Sequence, residues 1–385
     1  MPLYAFGSNG SGQLGIGHDE DVSIPTRCIF EAPEPEILLQ SSEGQGEGEG
    51  HSTNCLLQRI AAGGNHTLLL FSSGAVYAAG CNDDGRCGVV EEEPGDHHHH
   101  SLTRFRRVVV ADDGTGQSCA TFRDVSACWE GTFLVAAEGD RVFVVGSGPK
   151  GELGLGEGVV RAARPTPMKG FPPSGTQIVS VASGMGHTVA VLSDGSVYGW
   201  GAARKGQLGE VVKGRKMAWE PVRVDGVPFS RATGAVCGRE FTVVTGDKGE
   251  GEFVILGSAD NRWNVLSDAP PTLGVYRDIG ASWHGVYVQR DEGVLTWGRN
   301  DRGQLPPVDL PAVRELAVGS EHGLALLGGG TVAAFGWGEH GNCGPVADEQ
   351  GNVKGKYGLI PLPMEGGSRV VGVGAGCATS WVIMS

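Results

Sequence analysis

Histidines, cysteines, carboxylates and glycine-rich loops are the residues whose spacing in this sequence could support chemistry. His66, His187, His284 and His322 occur in recurrent turns of the Gly-x-x-His type, and four imidazoles invite a reading as an acid–base or metal array. Each belongs to a different copy of one repeat, so the four are spread around the fold. A residue that recurs with a repeat serves the repeat, and these are expected to bond the turn and buttress the next unit. Gly10-x-Gly12-x-x-Gly15 matches a dinucleotide fingerprint in its letters. That fingerprint needs a βαβ unit, whereas Ile16-Gly17-His18-Asp19-Glu20-Asp21 follows here and the same glycines return elsewhere, which predicts a turn. Asp19-Glu20-Asp21 reads as a solvated turn rather than a cation site. His97–His100 lie in an acidic loop without ligand geometry. Cys81, Cys87 and Cys343 fall in repeat positions suited to packing. No Gly-x-Ser-x-Gly elbow is present. The expectation is a protein that is not an enzyme, with no catalytic residue, no cofactor and no metal of its own.

The informative positions are those where the repeat is worn. Gly131, Phe241 and Thr379 stand where other copies have histidine. Their neighbours depart too, as Trp129-Glu130 and Arg239-Glu240-Phe241, while Trp283 precedes His284 and Glu321 precedes His322. If these turns share a face, that face carries tryptophans, a phenylalanine and an arginine, the residue types that dominate interface hot spots. Trp129, Glu130, Arg239, Glu240, Phe241, Trp283, His284, Glu321 and His322 are therefore the candidate partner-binding residues. A second reading, in which Trp129 and Trp283 fill a central funnel, stays open at this point. Trp200, Trp297 and Trp337 occupy a strand–Gly register that predicts core packing.

The elements that must position these residues come from two alternating patterns. One runs from Leu3 to Gly15 (LYAFGSNGSGQLG) and returns at Val76–Gly88, Val142–Gly154, Val197–Gly209, Phe253–Val265, Val294–Pro306 and Val332–Gly344. The other pairs a short strand, a glycine-containing turn and a β-branched strand, as in Arg59–Phe71, Val179–Leu192 and Val370–Met384. Together they predict units of about four short antiparallel strands, the blades of a propeller. The N-terminus opens with the outer half of a unit and the C-terminus closes with an inner half, so both termini should build one blade and close the ring. The expected fold is all-β, a seven-bladed β-propeller in a single domain over 1–385. Its closing blade comprises 1–27 plus 369–385, six blades lie within 56–365, and low-complexity insertions fall at 40–53 and 90–101.

Composition narrows the partners. A net charge of −14 without a basic tail argues against direct nucleic-acid binding, although a local strip at Lys213–Lys216 is present. Gly 66 far exceeds the usual share of about 7%, and most of it sits at fixed repeat offsets. Nine cysteines without a C-x-x-C pair form neither a disulfide framework nor a zinc ribbon. A repeat strand begins almost at once, so no signal peptide is expected, and no apolar run is long enough to span a membrane. The expected compartment is cytoplasmic and nuclear.

The strand–G-x-x-H-T–strand and V-Y-x-W-G-x-N-x-x-G-Q-L-G patterns, best seen at Ala182–Gly209 and Leu3–Gly17, resemble the regulator of chromosome condensation repeat family over the whole chain. Within it, the bare propeller with Gly15–Asp21 and Pro25-Thr26 after the first motif is similar to the fungal α-tubulin-suppressor branch, known also through killer-toxin insensitivity. That resemblance implies a heterodimer with a small CSL-type zinc protein. It also implies support of diphthamide synthesis and of Elongator-dependent wobble-uridine modification of tRNA. The alternative is a guanine-nucleotide exchange factor for a Ran-type small GTPase.

Overall fold

The computed structural model describes residues 2–31, 57–89, 101–111, 116–260, 262–363 and 367–385. The low-complexity segments, His97–His100 included, lie outside the described residues except for Ser101, which opens a strand.

Seven antiparallel sheets are present. The first blade joins both termini: Leu3–Gly7 pairs with Val22–Arg27 on one side and with Thr379–Met384 on the other, and Val370–Ala375 completes the sheet. The second blade comprises Leu57–Ala62, His66–Phe71, Val76–Cys81 and Ser101–Arg107. The third comprises Phe122–Ala127, Gly131–Ala136, Val142–Ser147 and Arg161–Pro167, and the fourth Ile178–Ser183, His187–Leu192, Val197–Ala202 and Met217–Arg223. The fifth has three strands, Gly234–Cys237, Phe241–Thr245 and Phe253–Gly257, as does the sixth, Asp278–Ser282, Gly285–Arg290 and Gly293–Gly298. The seventh comprises Val313–Val318, His322–Leu327, Val332–Trp337 and Asn352–Leu359. The first strands of successive blades neighbour one another around the axis, and the seventh blade returns to the first through Val313–Val318 beside Val370–Ala375.

The fold is therefore the all-β seven-bladed propeller closed by both termini. Four strands per unit fails in the fifth and sixth blades. The stretches after Gly257 and Gly298 carry adjacent prolines, Pro270-Pro271 and Pro306-Pro307, which remove two successive donors, whereas the fourth strands Val22–Arg27, Arg161–Pro167 and Met217–Arg223 hold only isolated ones.

The core lies between blades. Second strands such as His66–Phe71, His187–Leu192 and His322–Leu327 are buried along their whole length, since both faces meet a neighbouring sheet. Leu68, Leu70 and Val76 of the second blade pack with Val125, Leu134 and Phe143 of the third. Phe133, Val135 and Val144 of the third pack with Val181, Ala190 and Trp200 of the fourth. Removing this surface from water is the main force that holds the ring.

Candidate functional site

The turn between the first and second strands encloses four residues in every blade, and in all but the fifth it is bonded to the third strand in the same way. In the second blade Ala62 pairs with Thr67 and encloses four residues, Gly63, Gly64, Asn65 and His66. The third-position carbonyl accepts a hydrogen bond from the residue after a third-strand glycine: Cys81 N–H donates to Asn65 O, and Ser147 N–H donates to Glu130 O. That glycine is needed twice over. Gly146 has φ 114°, and a Cβ there would come within 2.1 Å of Glu130 O.

The fourth position carries the histidines, and it points into the seam with the next blade. His66 Nε2 lies 2.9 Å from Thr132 Oγ1, His187 Nε2 2.9 Å from Thr242 Oγ1, and His322 Nε2 2.9 Å from Ser380 Oγ. Each hydroxyl in turn donates to a loop carbonyl of the histidine's own blade, at Arg86, Gln207 and Asn342. A hydroxyl has one proton to give, so the histidine must donate from Nε2. Its Nδ1 is buried without a hydrogen-bond partner among the described residues. Charging the ring would bury an unpaired N–H, and burial pushes the pKa down to about 3 at His66 and about 4 at His187 and His322. These residues are neutral staples between blades. His322, nominated for partner contact, is corrected to this role because no part of it is exposed.

Phe241 is corrected in the same way. Its ring fills the histidine slot, fully buried, and Val286 stands in the hydroxyl slot of the next blade. A Cβ on Gly238 would lie 2.1 Å from the Phe241 ring, as one on Gly63 would lie 2.3 Å from the His66 ring. His284 does not belong with the other histidines. The residue paired with Gly298 is Gly285, and His284 O accepts from Arg299 N–H, so His284 sits in the third position beside Asn65 and Glu130. The adjacent Trp-His pair misled the alignment by one residue.

Of the second-position residues, Trp129, Met185, Trp283, Ser320 and Cys377 line the cavity at the axis, with Gly64 and Arg239 at the same level. Backbone hydrogen bonds run between neighbours at this level, from Gly64 to Trp129 and from Trp129 to Met185. Others run from Arg239 to Trp283, from Trp283 to Ser320, and from Ser320 to Gly376. Trp129 and Trp283, from blades three apart, meet across the mouth with ring centroids 5.9 Å apart. The Arg239 guanidinium lies 5.7 Å from the Trp283 ring. Beneath the pair is a cavity of about 160 Å³, and a second of about 300 Å³ lies among the inner strands, lined by Arg59, Glu315 and Tyr287. The two readings of the tryptophans thus meet: they cap the funnel, and Trp129 is still 36% exposed. Glu130, Arg239 and Glu240 are accessible beside them, and Trp283 and His284 are half-buried.

Glu321 is 5% exposed and is corrected from surface contact to seam partner. One oxygen accepts from Arg299 at 3.0 Å and lies 3.0 Å from His284 Nδ1; the other accepts from Gln304 Nε2 at 2.7 Å. Burial acts to raise its pKa, but the hydrogen bonds from His284 and Gln304 and the Arg299 charge bring it below the ordinary glutamate value. This polar cluster joins the sixth and seventh blades, where Gly285 and Gly323 leave no staple. The sequence reading missed Arg299 and Trp263, whose ring lies 4.8 Å from Arg299 and 4.6 Å from Arg262. Trp263 falls in a worn copy of the Gly-Gln-Leu loop, which was the available signal. Trp337 is not core, unlike Trp200 and Trp297; it follows its glycine instead of preceding it, and its Nε1 donates to Glu339.

The remaining motifs are structural. Gly12 and Gly15 close consecutive tight turns, followed by a strand. Asp21 does more than face solvent: it accepts from Asn9 N–H at 2.7 Å and lies 2.8 Å from His340 Nδ1, tying the first blade to the seventh. Cys87 and Cys343 are buried, which pushes both thiols up. Among the described residues no group of His, Cys, Asp and Glu could hold a metal ion, and no helix is long and apolar enough to cross a membrane.

Seven radial sheets that share one kind of turn define a β-propeller built from a single internal repeat. A family model described as an RCC1-like domain matches residues 2–382, and the chain belongs to that family. An RCC1 repeat-containing protein of Schizosaccharomyces pombe is 29% identical over 99% of this chain and 98% of its own length. A secretion-regulating guanine nucleotide exchange factor of Bos taurus is 26% identical over 97% of this chain and 81% of its own length. Among solved structures, Prp20p of Saccharomyces cerevisiae has a TM-score of 0.73 at 17% identity, covering 99% of this chain and 90% of that one. It is similar in fold.

Proposed function

We propose that this propeller is a protein-interaction module, not an enzyme, whose mouth around Trp129 and Trp283 holds and positions a small CSL-type zinc protein in the cytoplasm and nucleus. The pair would support diphthamide synthesis on elongation factor 2 and Elongator-dependent wobble-uridine modification of tRNA. Any zinc in the complex belongs to the partner. The observation that carries the reading is the exposed Trp129 against Trp283 and Arg239, fixed on a ring whose turns are bonded blade to blade. A preorganised aromatic anchor pays little ordering cost on binding.

The test is titration of the purified zinc protein into the wild-type chain and into the Trp129→Ala/Trp283→Ala variant. Loss of an anchor costs about 2 kcal/mol or more, or a roughly 30-fold rise in Kd. Unchanged affinity in a folded variant places the interface elsewhere. A second reading, guanine-nucleotide exchange on a Ran-type GTPase, is favoured by the exchange-factor relative at 26% identity. Accelerated GDP release from such a GTPase would replace the first reading.

A further inference from the structure

On the same face as the tryptophan pair, a cavity of about 580 Å³ opens between the third and fourth blades and reaches the fifth. Five cations line it: Lys150, Arg204, Lys205, Lys216 and Arg239. In a chain of net charge −14, such a concentration is an exception. Nearby arginines are neutralised, Arg86 by both oxygens of Asp84 and Arg299 by Asp301 and Glu321. Among the described residues none of the five is in an ion pair, and Arg204, Lys205 and Lys216 are exposed. Lys216, at φ 66°, follows the short helix Glu210–Lys213, and its N–H donates to Lys213 O.

Three carboxylates share the wall, and two are engaged. Glu130 lies 3.4 Å from Arg86. Glu152 stands in the slot that Gln13, Gln207 and Gln304 fill in other blades, and its Oε2 accepts from Lys150 N–H as theirs accept from the residue two before. Burial raises the Glu152 pKa above the ordinary glutamate value. Glu240 is exposed at the rim. Between the charged walls, Trp129, Met185 and Met217 supply an apolar floor.

We propose that this cavity receives an acidic segment of the protein partner, with one apolar side chain on the Trp129–Met185–Met217 floor and its carboxylates against Lys205, Lys216 and Arg204. This rests on the interaction reading above and names the chemistry of what is held there. Cations at an accessible rim steer an oppositely charged partner and make binding salt-sensitive. A long phosphate backbone fits less well than a short acidic segment, because it would run on past Lys205, Lys216 and Arg204 over the carboxylates of an acidic chain.

The experiment compares the full chain with its Lys205→Glu/Lys216→Glu and Lys205→Gln/Lys216→Gln variants, whose exposed positions leave the melting curve unchanged. Two probes are titrated: the CSL-type zinc protein, and a fluorescein-labelled peptide Glu-Asp-Leu-Glu-Asp read by anisotropy. Charge reversal is expected to weaken both about tenfold or more and the glutamine pair less, with the wild-type salt dependence between about 50 and about 300 mM flattened in each. Equal binding of the zinc protein to wild type and charge-reversed chain, at equal salt dependence, overturns the inference while leaving the partner reading intact. If the zinc protein does not bind wild type, the partner reading fails and the peptide decides alone: saturable binding lost on reversal supports the inference, and no binding to wild type overturns it. Tighter binding of an oligouridylate than of the peptide overturns it in favour of nucleic acid.

Discussion

Acidification tests the staples most directly. His66, His187 and His322 have folded pKa values of about 3, 4 and 4 against an ordinary value of 6.5. Because the folded values are depressed, the unfolded chain binds protons that the native ring cannot. Stability is then fully present above pH 6.5 and is lost progressively as pH falls toward the folded values. At pH 5 each histidine costs about 2 kcal/mol, 1.36 kcal/mol for each of roughly 1.5 pH units, so the three together cost about 6 kcal/mol. Glu152 and Glu315, whose pKa values are raised by burial, act in the opposite sense at the lower edge of this window. The fold supplies its own control at the seam between the fifth and sixth blades, where Phe241 and Val286 replace histidine and hydroxyl together. Copying that pair as His187→Phe with Thr242→Val removes the histidine and the hydroxyl together but leaves Gln207 O without its donor, so it should cost about 1–3 kcal/mol at pH 7.5. It should also recover about 2 kcal/mol, a third of the loss, at pH 5. Urea midpoints from pH 8 to pH 5, followed by tryptophan fluorescence, measure this. If the double variant loses as much stability between pH 7.5 and 5 as wild type does, the staples are not the acid-labile element.

Two further predictions concern the other seams. Glu321→Ala leaves His284 without this acceptor, and Arg299 and Gln304 with Asp301 alone, and should cost about 1–3 kcal/mol in urea denaturation, with Glu321→Gln costing less; a loss below about 0.5 kcal/mol would mean the cluster does not hold the sixth and seventh blades. At the ring closure Thr379 is too short to act as a staple, and Thr67 Oγ1 and Thr379 Oγ1 are both buried without a partner among the described residues. Thr67→Val should therefore raise the melting temperature, corresponding to about 1 kcal/mol, and a lowered temperature in calorimetry would refute the claim that this hydroxyl is unsatisfied.

Much of the architecture was legible because each blade repeats the same letters. Glycines such as Gly80 and Gly146 recur where a third strand must lie against a turn carbonyl, and no side chain fits there. The candidate site was legible only in part. Trp129, Glu130, Arg239, Glu240 and Trp283 drew attention because they break the pattern; Trp283 meets Trp129 and Arg239, and Glu130 and Glu240 line the adjoining cavity beside Trp129. Phe241, Glu321 and His322 break or keep the same pattern but point into seams. Position in the turn, not residue type, decides between surface and seam: second and third positions reach solvent or the mouth unless a neighbouring blade covers them, as it covers Glu321, while fourth positions point inward. Trp263 and Arg299 went unseen because their loops come from worn copies, and their contact is made across blades.

By itself, the sequence determined that seven repeats close into a ring through the termini, since each unit has a hydrophobic face that only its neighbour can bury. Only the tertiary structure decided which residues face each other across the axis and along the seams. Those contacts, Trp129 with Trp283, His66 with Thr132 and Glu321 with Arg299, join different repeats, and no local pattern records how far one blade is turned relative to the next.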